Sequence, residues 1–132
     1  MDKFALKSKL IVGKDFYFEA AHKIVGHEKC GRIHGHSYRI RVICEGYIQE
    51  NGMVIDFEDI KKIVTRNVVD KLDHTYLNEI ESLEIPTTEN LCVWVMNRLI
   101  TELPYLKTVK VWESKNSYAE LTSAGLSNNT NI

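Results

Sequence analysis

The segment Cys30-Gly31-Arg32-Ile33-His34-Gly35-His36 sets a thiol shortly ahead of a His-Gly-His. On a strand, residues i and i+2 project to the same face, so the imidazoles of His34 and His36 lie side by side there. His22 ends an earlier extended segment, and a neighbouring strand can bring it beside the pair. Three neutral imidazoles without a fourth protein ligand are the donor set of a catalytic zinc ion, which keeps one position for water or substrate. A structural zinc recruits four ligands, usually with cysteine pairs, and this chain contains no Cys-x-x-Cys. His27, in a loop beside Gly26, reads as a loop histidine outside the ligand set.

Cys30 stands between Lys29 and Arg32. Positive neighbours favour the thiolate, which can serve as base or nucleophile near neutral pH. Spacing alone leaves two other readings open: an unreactive surface thiol, or a fourth metal ligand. Asp73-His74 follows Leu72 at the end of a helical pattern. A carboxylate that orients an imidazole is a common way to tune a proton shuttle. Side chains adjacent in sequence rarely face each other, however, so the pair on its own reads as a polar loop. Glu113, in "VWES", ends a strand. A carboxylate there could anchor a ligand through paired N–H donors, although by itself the position reads as an exposed strand-end glutamate. Cys44 and Cys92 sit in apolar surroundings and read as core residues.

The elements that position these groups follow from patterning. Leu10 to His22 alternates and reads as a strand, as does His34 to Ile48. The Gly-, Lys- and His-rich stretch between them is a loop, and the two strands make a long hairpin. Beyond Asn51-Gly52, the residues Ile60, Ile63, Val64 and Val68 share one helical face, with Asp56 as cap and Glu58 and Asp59 suited to the first turn. A second helix begins near Pro86-Thr87-Thr88-Glu89 and buries Leu91, Val95 and Leu99. The stretches "KTVKVWES" and "SYAELTS" are two closing strands. The order ββααββ predicts an α+β domain with a four-stranded antiparallel sheet and two helices on one face. Hairpins this long leave open edges, which predicts an oligomer.

The chain has 132 residues, enough for one domain spanning 1–132, with a frayed tail expected over 123–132. A formal net charge of -1 gives no basis for wholesale binding to nucleic acid or an anionic membrane. No apolar run reaches membrane-span length, and the N-terminus lacks a secretory pattern. Three widely spaced cysteines imply no disulfide framework, so a cytoplasmic protein with reduced thiols is expected.

Taken in order, "FEAAH", "CGRIHGHSYRI", "GMVIDFEDIK", "LDHTYLN", "PTTENL" and "VWES" resemble the 6-pyruvoyltetrahydropterin synthase family over nearly the whole chain. The short gap between Cys30 and the histidines is most similar to its 6-carboxy-5,6,7,8-tetrahydropterin synthase branch. Animal-type members have a longer gap, and a branch making 6-hydroxymethyl-dihydropterin carries glutamate in the cysteine's role. Glu19 departs from the smaller residue often found at that place. The resemblance implies a tunnelling fold, in which three ββααββ subunits close a barrel and two rings stack into a homohexamer with sites between subunits. It implies Zn2+ on His22, His34 and His36, a catalytic Cys30, an acid/base pair at Asp73 and His74, and a pterin-anchoring Glu113. The implied substrate is 7,8-dihydroneopterin triphosphate, converted to 6-carboxytetrahydropterin, acetaldehyde and triphosphate in a deazaguanine (queuosine) pathway. Pyruvoyl-type synthase activity, or a non-catalytic module binding pterin or metal, are the alternatives.

Overall fold

The computed structural model describes residues 3–126. A short helix α1 (Lys3–Leu6) precedes two strands of equal length, β1 (Lys9–His22) and β2 (His34–Tyr47). These pair antiparallel along their whole length, from Lys9 opposite Tyr47 to His22 opposite His34. The alternation in their sequences decides the facing. Phe16, Phe18, Ala20 and His22 of β1 and Tyr38, Ile40, Val42 and Cys44 of β2 are buried, while the residues between them turn the other way. A one-residue slip would carry all of these to the outer face, so the apolar set also fixes where the histidines lie.

After β2, helix α2 (Phe57–Val64) is capped by Asp56, whose carboxylate accepts the Glu58 N–H at 2.9 Å. The helix continues through a π-helical turn (Thr65–Val69) into α3 (Asp70–Leu72). The insertion has a packing reason. Ile60, Val64, Val68 and Leu72 are spaced by four and all fully buried, whereas an α-helix drifts by about 40° at each such step. The wider π turn cancels part of that drift and keeps the stripe on the sheet. Helix α4 (Thr88–Leu99) is capped by Thr87, whose hydroxyl accepts the Asn90 N–H at 3.1 Å. Its Leu91, Val95 and Leu99 are buried as the sequence predicts, and Cys92, Trp94 and Met96 are buried too. The two helical segments and the inner sheet face form one apolar core, with the Phe18 and Tyr38 rings stacked at 4.9 Å. Truncating a residue such as Leu91 to alanine would cost about 2–5 kcal/mol.

Strand β4 (Leu106–Ser114) adds antiparallel to β2, and β5 (Ser117–Thr122) adds antiparallel to β4. The expected α+β class and the helices on one sheet face are as observed, but the sheet has five strands rather than four. The extra strand β3 (Thr75–Tyr76) lies parallel to β1 beside Ala20 and Ala21, giving the order β3-β1-β2-β4-β5. Two residues are too few to show a period of two, so "DHTYLN" reads as loop in sequence. Ser123–Gly125 form a single 3-10 turn capped by the Thr122 hydroxyl, the Leu126 N–H donates to the Ser123 carbonyl at 3.3 Å, and residues 127–132 of the expected frayed tail lie outside the described residues. No helix among the described residues is long and apolar enough to cross a membrane.

Candidate metal centre and its surroundings

The hairpin register sets His22 directly opposite His34, with His36 two residues further along β2 beside Ala20. Their rings gather at the end of the core, where the apolar ladder gives way to polar groups. The Nε2 atoms of His22 and His34 are 2.9 Å apart, and those of His22 and His36 are 3.1 Å apart. One ligand atom from each residue fits within a common span of 4.8 Å.

The other ring nitrogens explain what this convergence means. His34 Nδ1 faces the Arg32 carbonyl at 2.7 Å, and His22 Nδ1 faces the Pro86 carbonyl at 2.9 Å. A carbonyl oxygen only accepts, so both Nδ1 atoms carry hydrogen and the neutral rings offer bare lone pairs at Nε2. Lone pairs aimed at one another repel, whereas around a cation they bind. Nitrogen ligands about 2.0–2.1 Å from a single ion are compatible with the observed span. The donor set therefore fits one divalent metal held by three imidazoles. Burial, reinforced by the neighbouring histidines, lowers the pKa of His36 and favours its neutral, ligating form; Glu113 opposes this in part.

Two further residues support the cluster. Tyr38 continues the i, i+2 series on the inner face, and its hydroxyl lies 3.1 Å from His22 Nδ1 as a second acceptor for that N–H. Burial pushes the Tyr38 pKa well up, so the phenol stays neutral. Pro86, just before α4, gives its carbonyl to the same nitrogen. These contacts fix ring orientation and tautomer from outside the ligand set.

Glu113 is not the exposed strand-end glutamate that its position alone suggests. The Thr88 hydroxyl, at the start of α4, donates to its Oε2 at 2.9 Å. Its Oε1 lies 3.6 Å from His36 Nε2, and the side chain is half-buried. A carboxylate thus stands at the rim of the histidine cluster, oriented from a helix start. Sequence reading missed both Thr88 and Tyr38 as supporting groups. The spacing His34, His36, Tyr38 was a signal for the second; nothing in the sequence links Thr88 to Glu113.

Asp73 and His74 do face each other, with Asp73 Oδ2 3.1 Å from His74 Nδ1. The expectation that adjacent side chains point apart fails because His74 adopts a left-handed backbone, φ 59°. The Asp73 Oδ1 accepts the Glu19 N–H at 2.9 Å, and the His74 N–H donates back to the Glu19 carbonyl at 2.6 Å. The pair is thereby clamped to the edge of β1. The Glu19 N–H first, and then His74, hold the Asp73 carboxyl below its usual pKa. The His74 ring is largely exposed, and it helps line a shallow depression of about 470 Å³ that also includes Glu19, Gly35, His36 and Ser37.

Cys30 is a half-buried free thiol in the loop between β1 and β2. It does not join the histidine group, which contains no sulfur. Among the described residues no hydrogen bond or ion pair connects Cys30 to Asp73 or His74. One chain therefore assembles the histidines with Glu113, and holds the thiol and the Asp-His pair as separate units. His27 lies outside the cluster, as the sequence suggests. Cys44 and Cys92 are buried in the core, where burial pushes each thiol up to a pKa of about 11.

The chain is similar to proteins already known. A protein of Synechocystis named 6-carboxy-5,6,7,8-tetrahydropterin synthase is 41% identical over 124 residues, covering 89% of this chain and 96% of its own length. The dihydroneopterin monophosphate aldolase of Pyrococcus furiosus is 40% identical over 107 residues, covering 79% of this chain and 90% of its own length. The structure of Caenorhabditis elegans 6-pyruvoyl tetrahydropterin synthase, 23% identical, superposes with a TM-score of 0.81 over 87% of this chain and 96% of that one, which shows the shared fold. Residues 11–124 match the family model described as 6-pyruvoyl tetrahydropterin synthase. With that match spanning the hairpin, both main helices and the closing strands, the chain belongs to the 6-pyruvoyl tetrahydropterin synthase family.

Proposed function

We propose that the protein is a zinc-dependent 6-carboxy-5,6,7,8-tetrahydropterin synthase acting on 7,8-dihydroneopterin triphosphate. The observation that carries this reading is the convergence of three Nε2 atoms from His22, His34 and His36 beside a carboxylate, Glu113, in a chain that carries a half-buried free thiol at Cys30. A zinc ion in that set supplies Lewis acidity towards the oxygens of the substrate side chain. Glu113, held by Thr88, accepts paired N–H donors from the pterin edge. Cys30 as thiolate removes a carbon-bound proton from the side chain. His74, oriented by Asp73, returns or receives a proton at Nε2, its Nδ1 being engaged with the carboxylate. Loss of triphosphate, internal redox transfer to the ring and hydrolytic cleavage of the remaining side chain, in which one water supplies the second carboxyl oxygen and a hydrogen of acetaldehyde, give the 6-carboxy product and acetaldehyde.

The separation of these units within one chain favours a site completed between subunits. In the homohexamer implied by the resemblance, a neighbour's Asp73 and His74 meet Cys30. The edge of β1, paired with β3 only at Ala20 and Ala21, is available for such assembly. The free cysteines suit a cytoplasmic protein, and the product would feed deazaguanine synthesis.

The decisive experiment is product analysis with dihydroneopterin triphosphate. Acetaldehyde and a 6-carboxy pterin in equal amounts support the proposal. Triphosphate release without acetaldehyde would mean pyruvoyl-type chemistry, and tight binding without turnover would mean a non-catalytic module. The similarity to the Pyrococcus furiosus aldolase favours testing for a 6-hydroxymethyl product as well. Cys30→Ala should abolish turnover and retain metal; full turnover would remove the thiol from the mechanism.

A further inference from the structure

We infer that His27 is a positioning residue for the Cys30 thiol: its Nδ1 accepts the Cys30 backbone N–H at 2.9 Å and fixes the turn from which the side chain projects. The inference rests on Cys30 being the base in the reaction proposed above.

The loop from Lys23 to Ile33 has neither helix nor strand to order it. An irregular segment holds one conformation only where specific contacts offset its conformational entropy. Asn78 holds the Lys23 backbone and His34 the Arg32 carbonyl at its two ends; between them the contacts join three residues, Ile24, His27 and Cys30. The Cys30 carbonyl accepts the Ile24 N–H at 2.7 Å, and the Ile24 carbonyl accepts the His27 N–H at 3.2 Å. The His27 ring then closes the turn on the Cys30 N–H. On the far side of Cys30, a Cβ at Gly31 would fall 2.3 Å from the His27 carbonyl oxygen, so the chain passes residue 27 there only as glycine. His27 therefore grips the backbone through its ring before the thiol and by close packing after it.

The tautomer separates this role from metal binding. His22 and His34 donate through Nδ1 and present Nε2 as a lone pair. His27 does the reverse: with Nδ1 accepting, the neutral ring carries its proton on Nε2. A histidine five residues beyond His22 is thus committed to the thiol's backbone and not to the ion.

The test compares His27→Ala with His27→Asn, whose Oδ1 can take the acceptor place of Nδ1. With dihydroneopterin triphosphate, H27A should lower kcat about tenfold, the weight of roughly one net hydrogen bond, at unchanged KM and unchanged zinc content. H27N should recover most of the loss. Independently of turnover, amide exchange of Cys30 measured by NMR should accelerate about tenfold in H27A and stay near wild type in H27N. Gly31→Ala, which displaces the same turn from the other side, should accelerate it too. Unchanged Cys30 exchange in H27A, equal damage in H27A and H27N, or loss of zinc in H27A would each overturn the inference. If Cys30→Ala kept full turnover the functional reading would fall, while the exchange result would still decide whether His27 holds the turn.

Discussion

Replacing Tyr38 by phenylalanine isolates the support that the inner sheet face gives to the proposed metal centre. The substitution removes one oxygen from a fully buried side chain and leaves the ring against Phe18, stacked at 4.9 Å. The void is a single atom, so the packing cost is small. What is lost is the second acceptor for the His22 Nδ1–H, 3.1 Å away, while the Pro86 carbonyl at 2.9 Å remains. A neutral hydrogen bond contributes about 1 kcal/mol net to stability. For a domain of this length, that corresponds to a fall in Tm of roughly 3–5 °C in the metal-free protein. Loss of an outer-shell partner lowers metal affinity by about 10–100-fold. Because one acceptor survives, the lower end is expected, about tenfold or ~1.4 kcal/mol. Zinc affinity is measured by competition against a chromophoric chelator at neutral pH, with metal-free Tm recorded alongside. Tyr47→Phe, at an exposed position on the same strand, serves as control. A fall in Tm with zinc affinity unchanged would refute the reasoning, since Tyr38 would then be only a core residue.

Two other perturbations probe separate links. Thr88→Val removes the hydroxyl that donates to Glu113 Oε2 at 2.9 Å; a hydrogen bond to a charged group contributes about 1.5–3 kcal/mol, so KM for the triphosphate substrate should rise at least tenfold with kcat little changed. An unchanged KM in steady-state kinetics would remove Glu113 from pterin binding. On the outer sheet face, Arg41 makes a bidentate contact to Asp15 at 2.7 and 3.1 Å, and Arg39 adds a bond at 3.0 Å. The Arg41 hydrogen bond, with Arg39 assisting against burial, holds the Asp15 pKa below its ordinary value. A depressed carboxylate contributes stability above its unfolded pKa, about 3.9, and loses it as pH falls through the folded value. Asp15→Asn should therefore cost about 1 kcal/mol at pH 7 in urea unfolding, with the difference from wild type closing below about pH 4. A difference from wild type that fails to shrink as pH falls below about 4 would contradict that assignment.

Much of the site was legible because it lies on a regular element. His34 and His36 share a face by strand periodicity, and His22 joins them through the register that the apolar residues of both strands impose. The cap at Asp56 was legible for the same local reason. What escaped depends on contacts between distant segments or on unusual backbone. Pro86 reaches His22 across 64 positions, and Thr88 reaches Glu113 across 25. No periodicity encodes such meetings. The facing of Asp73 and His74 hangs on one left-handed residue, which histidine adopts only under constraint from both sides. The π turn answers a packing demand of the assembled core, and β3 exists because Asp73 and His74 are clamped to Glu19 immediately before it. His27 read as a bystander because its partner is a backbone N–H, which carries no residue-type signal.

The most direct measurement is X-ray absorption at the metal edge of zinc-loaded protein, both wild type and Cys30→Ala. Three imidazole nitrogens with a light oxygen atom completing the shell, identical in both proteins, is the expected result. A sulfur scatterer in the wild type that disappears in Cys30→Ala would contradict it, and would return Cys30 to the role of a metal ligand.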